Sequence, residues 1–169
     1  MPPLRRPPVQ AAEALVSVAP LVSRWIERLL AGHEPPLTVA QFLVLRGIAD
    51  GVVSGSELAR RAGVSGPAVS QLVGSLADAG LLERRELEED RRRQTLGLST
   101  SGTQVLASAQ SLLRGQLSSL LSELPGPEAD ALARALPQVE ATLSGTSPPR
   151  RPRPPPGRPP RPPRPPRQD

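Results

Sequence analysis

Apolar residues recur at steps of three and four over most of the chain, which is the spacing of one helix face. Four amphipathic helices are expected from this spacing, two in the first third of the chain and two near its end. Their predicted limits are about residues 9–31, Thr38 to about Ala49, Thr100 or Ser101 to a break at Pro125-Gly126-Pro127, and a last helix that includes Leu132 to Leu143.

The middle of the chain predicts a short helix, a tight turn and a second helix. Ser54 and Glu57 fit a capping box that opens the short helix Glu57–Ala62, and Gly63 ends it. Ser65 can cap the next helix, which runs to Ala79. Its apolar face is formed by Val69, Leu72, Val73 and Leu76, and its opposite face by Pro67, Ser70, Gln71 and Gly74.

After Gly80 the period changes from helical spacing to alternation, which predicts a β-hairpin. The expected strands are Leu81–Leu87 and Gln94–Ser99, joined by the polar loop Glu88–Arg93. In the second strand, Leu96 and Leu98 should face inward, and Thr95 and Gly97 outward. The fold class is therefore mainly α with a small β-hairpin wing, a winged helix-turn-helix. In such folds the second helix enters the DNA major groove.

Composition divides the chain into three parts. Residues 1–8 and 148–169 are rich in proline and arginine and have too few apolar side chains to order themselves, so both should be disordered or polyproline-like. The regulator domain is expected over 9–147. The chain has a net charge of +5, and the tail 148–169 with seven Arg and one Asp supplies +6, so the remainder is about −1. Anion binding by the domain must come from a local patch.

Several functional classes are disfavoured. The chain has no cysteine and one histidine, which excludes disulfides, thiolate sites and a His-rich metal site, and no metal site is predicted. No nucleophile motif or glycine-rich phosphate loop is present, so an enzyme is not expected, and no cofactor is predicted. Charged residues interrupt the apolar run at 11–23, which argues against a signal peptide or membrane span and favours the cytoplasm.

Three segments in this order resemble the MarR family of bacterial regulators. They are Ser56–Ser65 (SELARRAGVS), Pro67–Val73 (PAVSQLV) followed by Gly80–Arg84 (GLLER), and Asp90-Arg91-Arg92 followed by Leu96–Gly102 (LGLSTSG). The likeness covers about residues 10–144. One departure concerns the helix that Ser65 caps, called the reader helix because it would enter the major groove. The family commonly has charged residues near Gln71, Gly74 and Ser75, and this chain has none at these positions.

The resemblance implies a homodimer whose first and last two helices interlock, binding a near-palindromic operator in double-stranded DNA and often repressing. It also implies release by a small lipophilic ligand, a candidate effector, in a crevice beside the reader domain. The residues at the family's crevice positions are Trp25, His33, Phe42 and Arg46. Trp25 and Phe42 fit ordinary core positions equally well, and His33 an ordinary loop position.

Candidate DNA contacts on the reader helix follow from its position. Ser65 can donate to a phosphate beside the first backbone N–H groups, or serve only as a helix cap. Pro67, Ala68, Ser70 and Gln71 would lie nearest the base edges, where Gln71 can pair with adenine and Ala68 can touch a thymine methyl. An ordinary solvated helix face is the alternative interpretation of these residues.

The predicted wing carries the strongest local positive charge. Arg91, Arg92 and Arg93 suit the narrow, electronegative minor groove, and Asp90 would pair with one of them and brace the loop. Arg84 is a candidate phosphate contact. The alternative is a solvated charged turn, because Glu86, Glu88 and Glu89 lie in the same hairpin.

Two other functions remain open beside a sequence-specific regulator. The arginine-rich tail could make the chain a general nucleic-acid-binding protein with salt-sensitive affinity for phosphates. Alternatively, the winged fold could serve as a protein-interaction module, which the absence of arginine from the reader helix favours. The tail could also bind a protein partner in polyproline form, or have no role.

Overall fold

The computed structural model describes residues 7–52, 54–87 and 90–145, without the side chains of 84–95 and 144–145. The predicted disordered tail 148–169 and residues 1–6 lie outside this part. Within it the chain forms a mainly α-helical fold with one two-stranded antiparallel sheet. The elements are α1 (Pro7–Ala31), α2 (Val39–Ala49), α3 (Gly55–Ala62), α4 (Gly66–Asp78), β1 (Leu82–Leu87), β2 (Asp90–Leu98), α5 (Thr100–Leu121) and α6 (Gly126–Gly145). This order confirms the predicted fold class.

Side-chain caps set the starts of the central helices. Thr38 Oγ1 accepts the Gln41 N–H at 3.1 Å and Gln41 Oε1 accepts the Thr38 N–H at 2.9 Å, a complete capping box at α2. Helix α3 begins at Gly55, two residues before the predicted start, because Ser54 is its N-cap and already accepts from the Glu57 N–H. The helices α3 and α4 are separated by Gly63, whose left-handed backbone (φ 67°) ends α3.

The hairpin departs from its prediction at the tip. The segment Glu88–Arg93 was expected to be a loop, but β2 begins at Asp90 and carries Arg91, Arg92 and Arg93 on the strand. A register shift allows β2 to begin this early. Glu86 pairs with Gln94, but the next residue, Leu87, pairs with Asp90, so the three arginines between Asp90 and Gln94 have no cross-strand partner in the register. The turn itself, 88–89, lies outside the described residues.

One core lies between the end of α1, α2, α3, α4, α5 and the base of the hairpin. Its largest fully buried side chains are Leu30, Val44, Leu45 and Leu76. Leu82 and its cross-strand partner Leu98 are buried there as well. The expectation that Leu96 also faces inward is wrong, since Leu96 is 38% exposed and Gly97 is buried. Leu82 and Leu98 thus anchor the base of the hairpin on the helices.

A tight joint connects the hairpin to α5. Ser99 Oγ donates to the Gly80 carbonyl at 2.6 Å and accepts the Gly102 N–H at 2.9 Å as the N-cap of α5. At Gly102 a Cβ would overlap the Leu81 carbonyl oxygen and lie 2.9 Å from its carbonyl carbon. Glycine is therefore required at this position by close backbone approach. The joint fixes the hairpin base against the helix that follows it.

Helix α6 belongs to a second compact unit that begins at Leu124, whereas α1–α5 and the hairpin belong to the first. Along α6, Leu136, Val139 and Leu143 are exposed apolar residues at helical spacing. No helix within the described ranges combines the length and apolarity that crossing a membrane requires.

Candidate nucleic-acid interface

Helix α4 is amphipathic and presents one polar face to solvent. Val69 and Leu76 are buried and hold the helix on the core, where it packs against α2 and α3. On the outer side the predicted contact residues Ser65, Pro67, Ser70 and Gln71 are exposed, and Ala68 is half-buried at the margin. We call Pro67, Ser70, Gln71 and Gly74 the reading face.

Local hydrogen bonds order the start of α4. Ser65 is its N-cap and accepts the Ala68 N–H at 3.4 Å, as predicted from the sequence. Ser70 Oγ donates to the Gly66 carbonyl at 3.3 Å, which leaves its oxygen lone pairs available to an outside donor. The first N–H groups of the helix point along its axis, so the N-terminus of α4 offers positive partial charge to an anion.

The reading face is electrically neutral. Between Gly66 and Asp78 the sequence has one charged residue, Asp78, in the last turn. Serine and glutamine can hydrogen-bond base edges, but neither attracts phosphate at long range. This face can distinguish hydrogen-bonding patterns, and the charge needed to hold DNA must come from elsewhere.

The two arginines of α3 are held by acidic partners. Arg60 donates to Glu57 at 2.6 and 2.9 Å, while Arg61 donates to Glu57 at 3.1 Å and to Asp50 at 3.2 Å. Hydrogen bonds from Arg60 and Arg61 lower the pKa of Glu57 from 4.5 to about 2. A phosphate would have to compete with these carboxylates for either guanidinium. The Asp50–Arg61 pair also ties the end of α2 to α3.

The wing holds the remaining predicted DNA contacts. Arg84 lies on β1 with Leu96 as its cross-strand partner, and Asp90 opens β2 opposite Leu87. Arg91, Arg92 and Arg93 follow directly on β2. The side chains of all five lie outside the described residues, so their contacts, including the bracing role expected of Asp90, stay predictions.

Two of the four predicted ligand residues line a groove. Phe42 and Arg46 of α2 lie along a groove of about 1030 Å³ between α1, α2 and α5. Its walls are mainly apolar, with Ile26, Leu43 and Leu113 among them. Arg46 of α2 and Arg114 of α5 both line the groove, and Gln110, Arg114 and Ser118 form a polar row on α5. Sequence reasoning missed this row, although its spacing of four residues was visible.

The other two predicted ligand residues, His33 and Trp25, lie outside the groove. His33 is buried; its Nδ1 donates to the Pro35 carbonyl at 2.8 Å and its Nε2 meets the Ser108 hydroxyl. This histidine links the α1–α2 connection to α5. Trp25 is half-buried on α1. Neither contributes to the lining of the groove.

The middle of the chain is similar to a known protein family. Residues 36–93, from just before α2 into β2, match the model of the MarR family. The matched segment contains α2, α3, α4 and β1, and in this part the chain is similar to the MarR family. No curated protein matches the chain.

Solved structures extend the likeness beyond that segment. Rv2887 of Mycobacterium tuberculosis, in complex with p-aminosalicylic acid, has a TM-score of 0.64 and 24% identity, covering 76% of this chain and 97% of its own. A mutant MarR from E. coli has a TM-score of 0.63 and 24% identity, covering 76% of this chain and 95% of its own. BldR of Sulfolobus solfataricus has a TM-score of 0.62 and 23% identity, covering 79% of this chain and 94% of its own. At these identities the likeness shows that the chain shares the fold of these proteins.

Proposed function

We propose that this chain is a sequence-specific DNA-binding transcription regulator that reads the major groove with α4. The observation that carries the proposal is a capped helix with a neutral, hydrogen-bonding outer face, followed directly by a hairpin with three consecutive arginines. A helix of this kind discriminates base edges, and the adjacent hairpin supplies charge. The family match over the same residues supports this function.

Each part of the interface has its own role in the proposal. Ser65 and the N-terminus of α4 contact a phosphate, while Ser70 and Gln71 reach base edges and Pro67 and Ala68 make apolar contacts. Arg91, Arg92 and Arg93 enter the minor groove or bind phosphates, with Asp90 bracing them, and Arg84 binds a phosphate nearby. Because the reading face of α4 is neutral and the arginines of α3 are bound to Glu57 and Asp50, the wing provides most of the electrostatic attraction.

The proposal includes a homodimer acting as a repressor on a near-palindromic operator. On α1 the apolar residues Leu15, Val18 and Leu21 are 51, 49 and 58% exposed, and on α6 Leu143 is 69% exposed. Exposed apolar rows of this length are typical of surfaces that a second subunit covers. A two-fold dimer presents two copies of α4 to two half-sites, which accounts for the symmetry of the operator.

A small organic anion is the proposed effector, bound in the groove of Phe42, Arg46 and Arg114. Apolar walls suit an aromatic ring, and neither guanidinium has an ion pair within the part of the chain that the structure describes. A carboxylate between them would gain charge-assisted hydrogen bonds. The Rv2887 complexes with salicylic acid and p-aminosalicylic acid are consistent with this ligand class.

The test is a binding titration against DNA from upstream of the chain's own gene and against random DNA of equal length, at two salt concentrations. The full chain and a fragment ending at residue 147 are compared. We expect both to prefer the upstream DNA by about a thousandfold or more, as specific binders do. Equal binding of both DNAs, or loss of binding with the tail, would instead favour the tail-driven nucleic-acid-binding function. No DNA binding at low salt would favour the protein-interaction module.

A further inference from the structure

Gly74 lies in the centre of the reading face, three residues after Gln71 and four after Ser70. These spacings place all three residues on one side of the helix. Gly74 is exposed, in the interior of a 13-residue helix. A glycine at such a position destabilises a helix by about 1 kcal/mol relative to alanine. The fold would therefore be more stable with a side chain here.

The structure contains no internal reason for glycine at this position. A Cβ added to Gly74 would have no atom within 4 Å, and its backbone does not have the positive φ seen at Gly51, Gly63 and Gly80. Gly47 shows the contrast, because a Cβ there would lie 2.7 Å from Leu58 Cδ2. The missing side chain at Gly74 makes a notch on the outer surface that nothing within the described part of the chain fills.

The chemistry of the notch restricts what can occupy it. The helix interior already uses the backbone N–H and C=O groups around Gly74, so the notch offers no hydrogen-bonding group. Phosphates and polar base edges would lose hydrogen bonds to water there. The apolar group exposed in the major groove is the 5-methyl of thymine. Gln71, one turn earlier, is suited to the adenine of an A·T pair.

We infer that Gly74 is a specificity-determining residue whose notch receives a thymine methyl group in each operator half-site. This inference rests on the proposed function, since it needs α4 to lie in the major groove. The glycine brings the helix backbone close to the base pairs. An alanine at this position would occupy the space of the thymine methyl and hold α4 away from the DNA.

The test uses the full chain and a duplex selected by it from a random 25-bp library, with a scrambled duplex as control. Gly74→Ala should raise the melting temperature by about 2–4 °C. It should also weaken binding to the selected duplex at least about tenfold, with little change for scrambled DNA. Gly115→Ala is the matched control, because Gly115 is also an exposed helical glycine with no atom near its added Cβ. It should give a similar stabilisation, and it should leave the preference for the selected over the scrambled duplex as in the native chain.

Replacing single thymines by deoxyuridine locates the notch. At the thymine that faces Gly74, the loss of the methyl should weaken binding of the native chain about fourfold. The same replacement should restore most of the affinity that Gly74→Ala loses. Unchanged affinity of Gly74→Ala for the selected duplex would overturn the inference, as would a loss that no deoxyuridine restores. A native chain that selects no sequence would overturn the proposed function itself, which distinguishes the two failures.

Discussion

The joint at the base of the wing and the reading face of α4 are constrained by the fold to very different degrees. At the joint, Ser99 bonds Gly80 and Gly102, and the backbone of Gly102 leaves no space for a Cβ beside Leu81. On the reading face, Gly74 has open space around it. Changes at the joint should therefore alter stability, and changes on the reading face or wing should alter DNA binding.

The largest effect is expected at the joint. Gly102→Ala forces a Cβ into the Leu81 carbonyl, and because backbone must move, we expect a loss of about 3 kcal/mol or more in unfolding free energy. Thermal melts followed by circular dichroism measure this. Gly115→Ala in the same helix is the control and should be slightly stabilising. A melting temperature of Gly102→Ala within about 2 °C of native would contradict this packing.

The wing should give the next largest effect, on binding alone. Replacing Arg91, Arg92 and Arg93 with glutamine removes up to three phosphate-neutralising charges, each worth about 0.9 in the slope of log K against log salt concentration. We expect a slope less steep by up to about 2.7, at least a tenfold weaker operator complex at low salt, and an unchanged melting temperature. The matched triple replacement by lysine should retain most of the slope. An unchanged slope in the glutamine variant would remove the wing from the interface.

A framework cap away from both regions should have a moderate effect. Thr38→Ala removes the side chain that accepts the Gln41 N–H in the capping box of α2, which should cost about 1 kcal/mol. Thr38→Ser keeps the acceptor and should recover most of that stability. Urea denaturation of the three proteins gives the comparison. If serine and alanine were equally destabilising, the capping bond would not be the cause.

The smallest effect is expected at Glu57 and concerns pH. Its folded pKa is lowered to about 2 by Arg60 and Arg61, below the 4.5 of the unconstrained group. The stabilisation from ionised Glu57 is thus present above pH 4.5 and disappears as pH falls towards 2. The native chain should melt slightly higher than Glu57→Gln at pH 7, and the difference should vanish over that interval. A gap that persists at pH 2 would contradict this assignment.

Local signals in the sequence predicted much of the fold. Ser54 and Ser65 were identified as caps because a cap and the N–H that it binds are three residues apart. The limits of the hairpin were less predictable. β2 begins at Asp90 because of a shifted register with β1, and that pairing depends on two strands at once. Leu96 was misplaced for a related reason, since alternation gives the side of a strand but not where the core ends.

Contacts distant in sequence could not be predicted. His33 meets Ser108 across 75 residues, and the groove combines Arg46 with Arg114 from another helix. At Glu57 two local patterns competed: a carboxylate at the third helical position suits a capping box, and arginines three and four residues later suit ion pairs. The structure places the carboxylate with the arginines. The capping bond and the ion pairs each stabilise a helix by a small amount, so the sequence alone did not favour one over the other.

The central claim is that the exposed face of α4 reads DNA sequence. The most direct test is the ratio of dissociation constants for scrambled and selected duplexes, measured for the native chain and for Gln71→Ala. We expect a native ratio of about a thousand or more, reduced about tenfold in the variant with scrambled binding unchanged. A native ratio near one, or an equal ratio in both proteins, would contradict it.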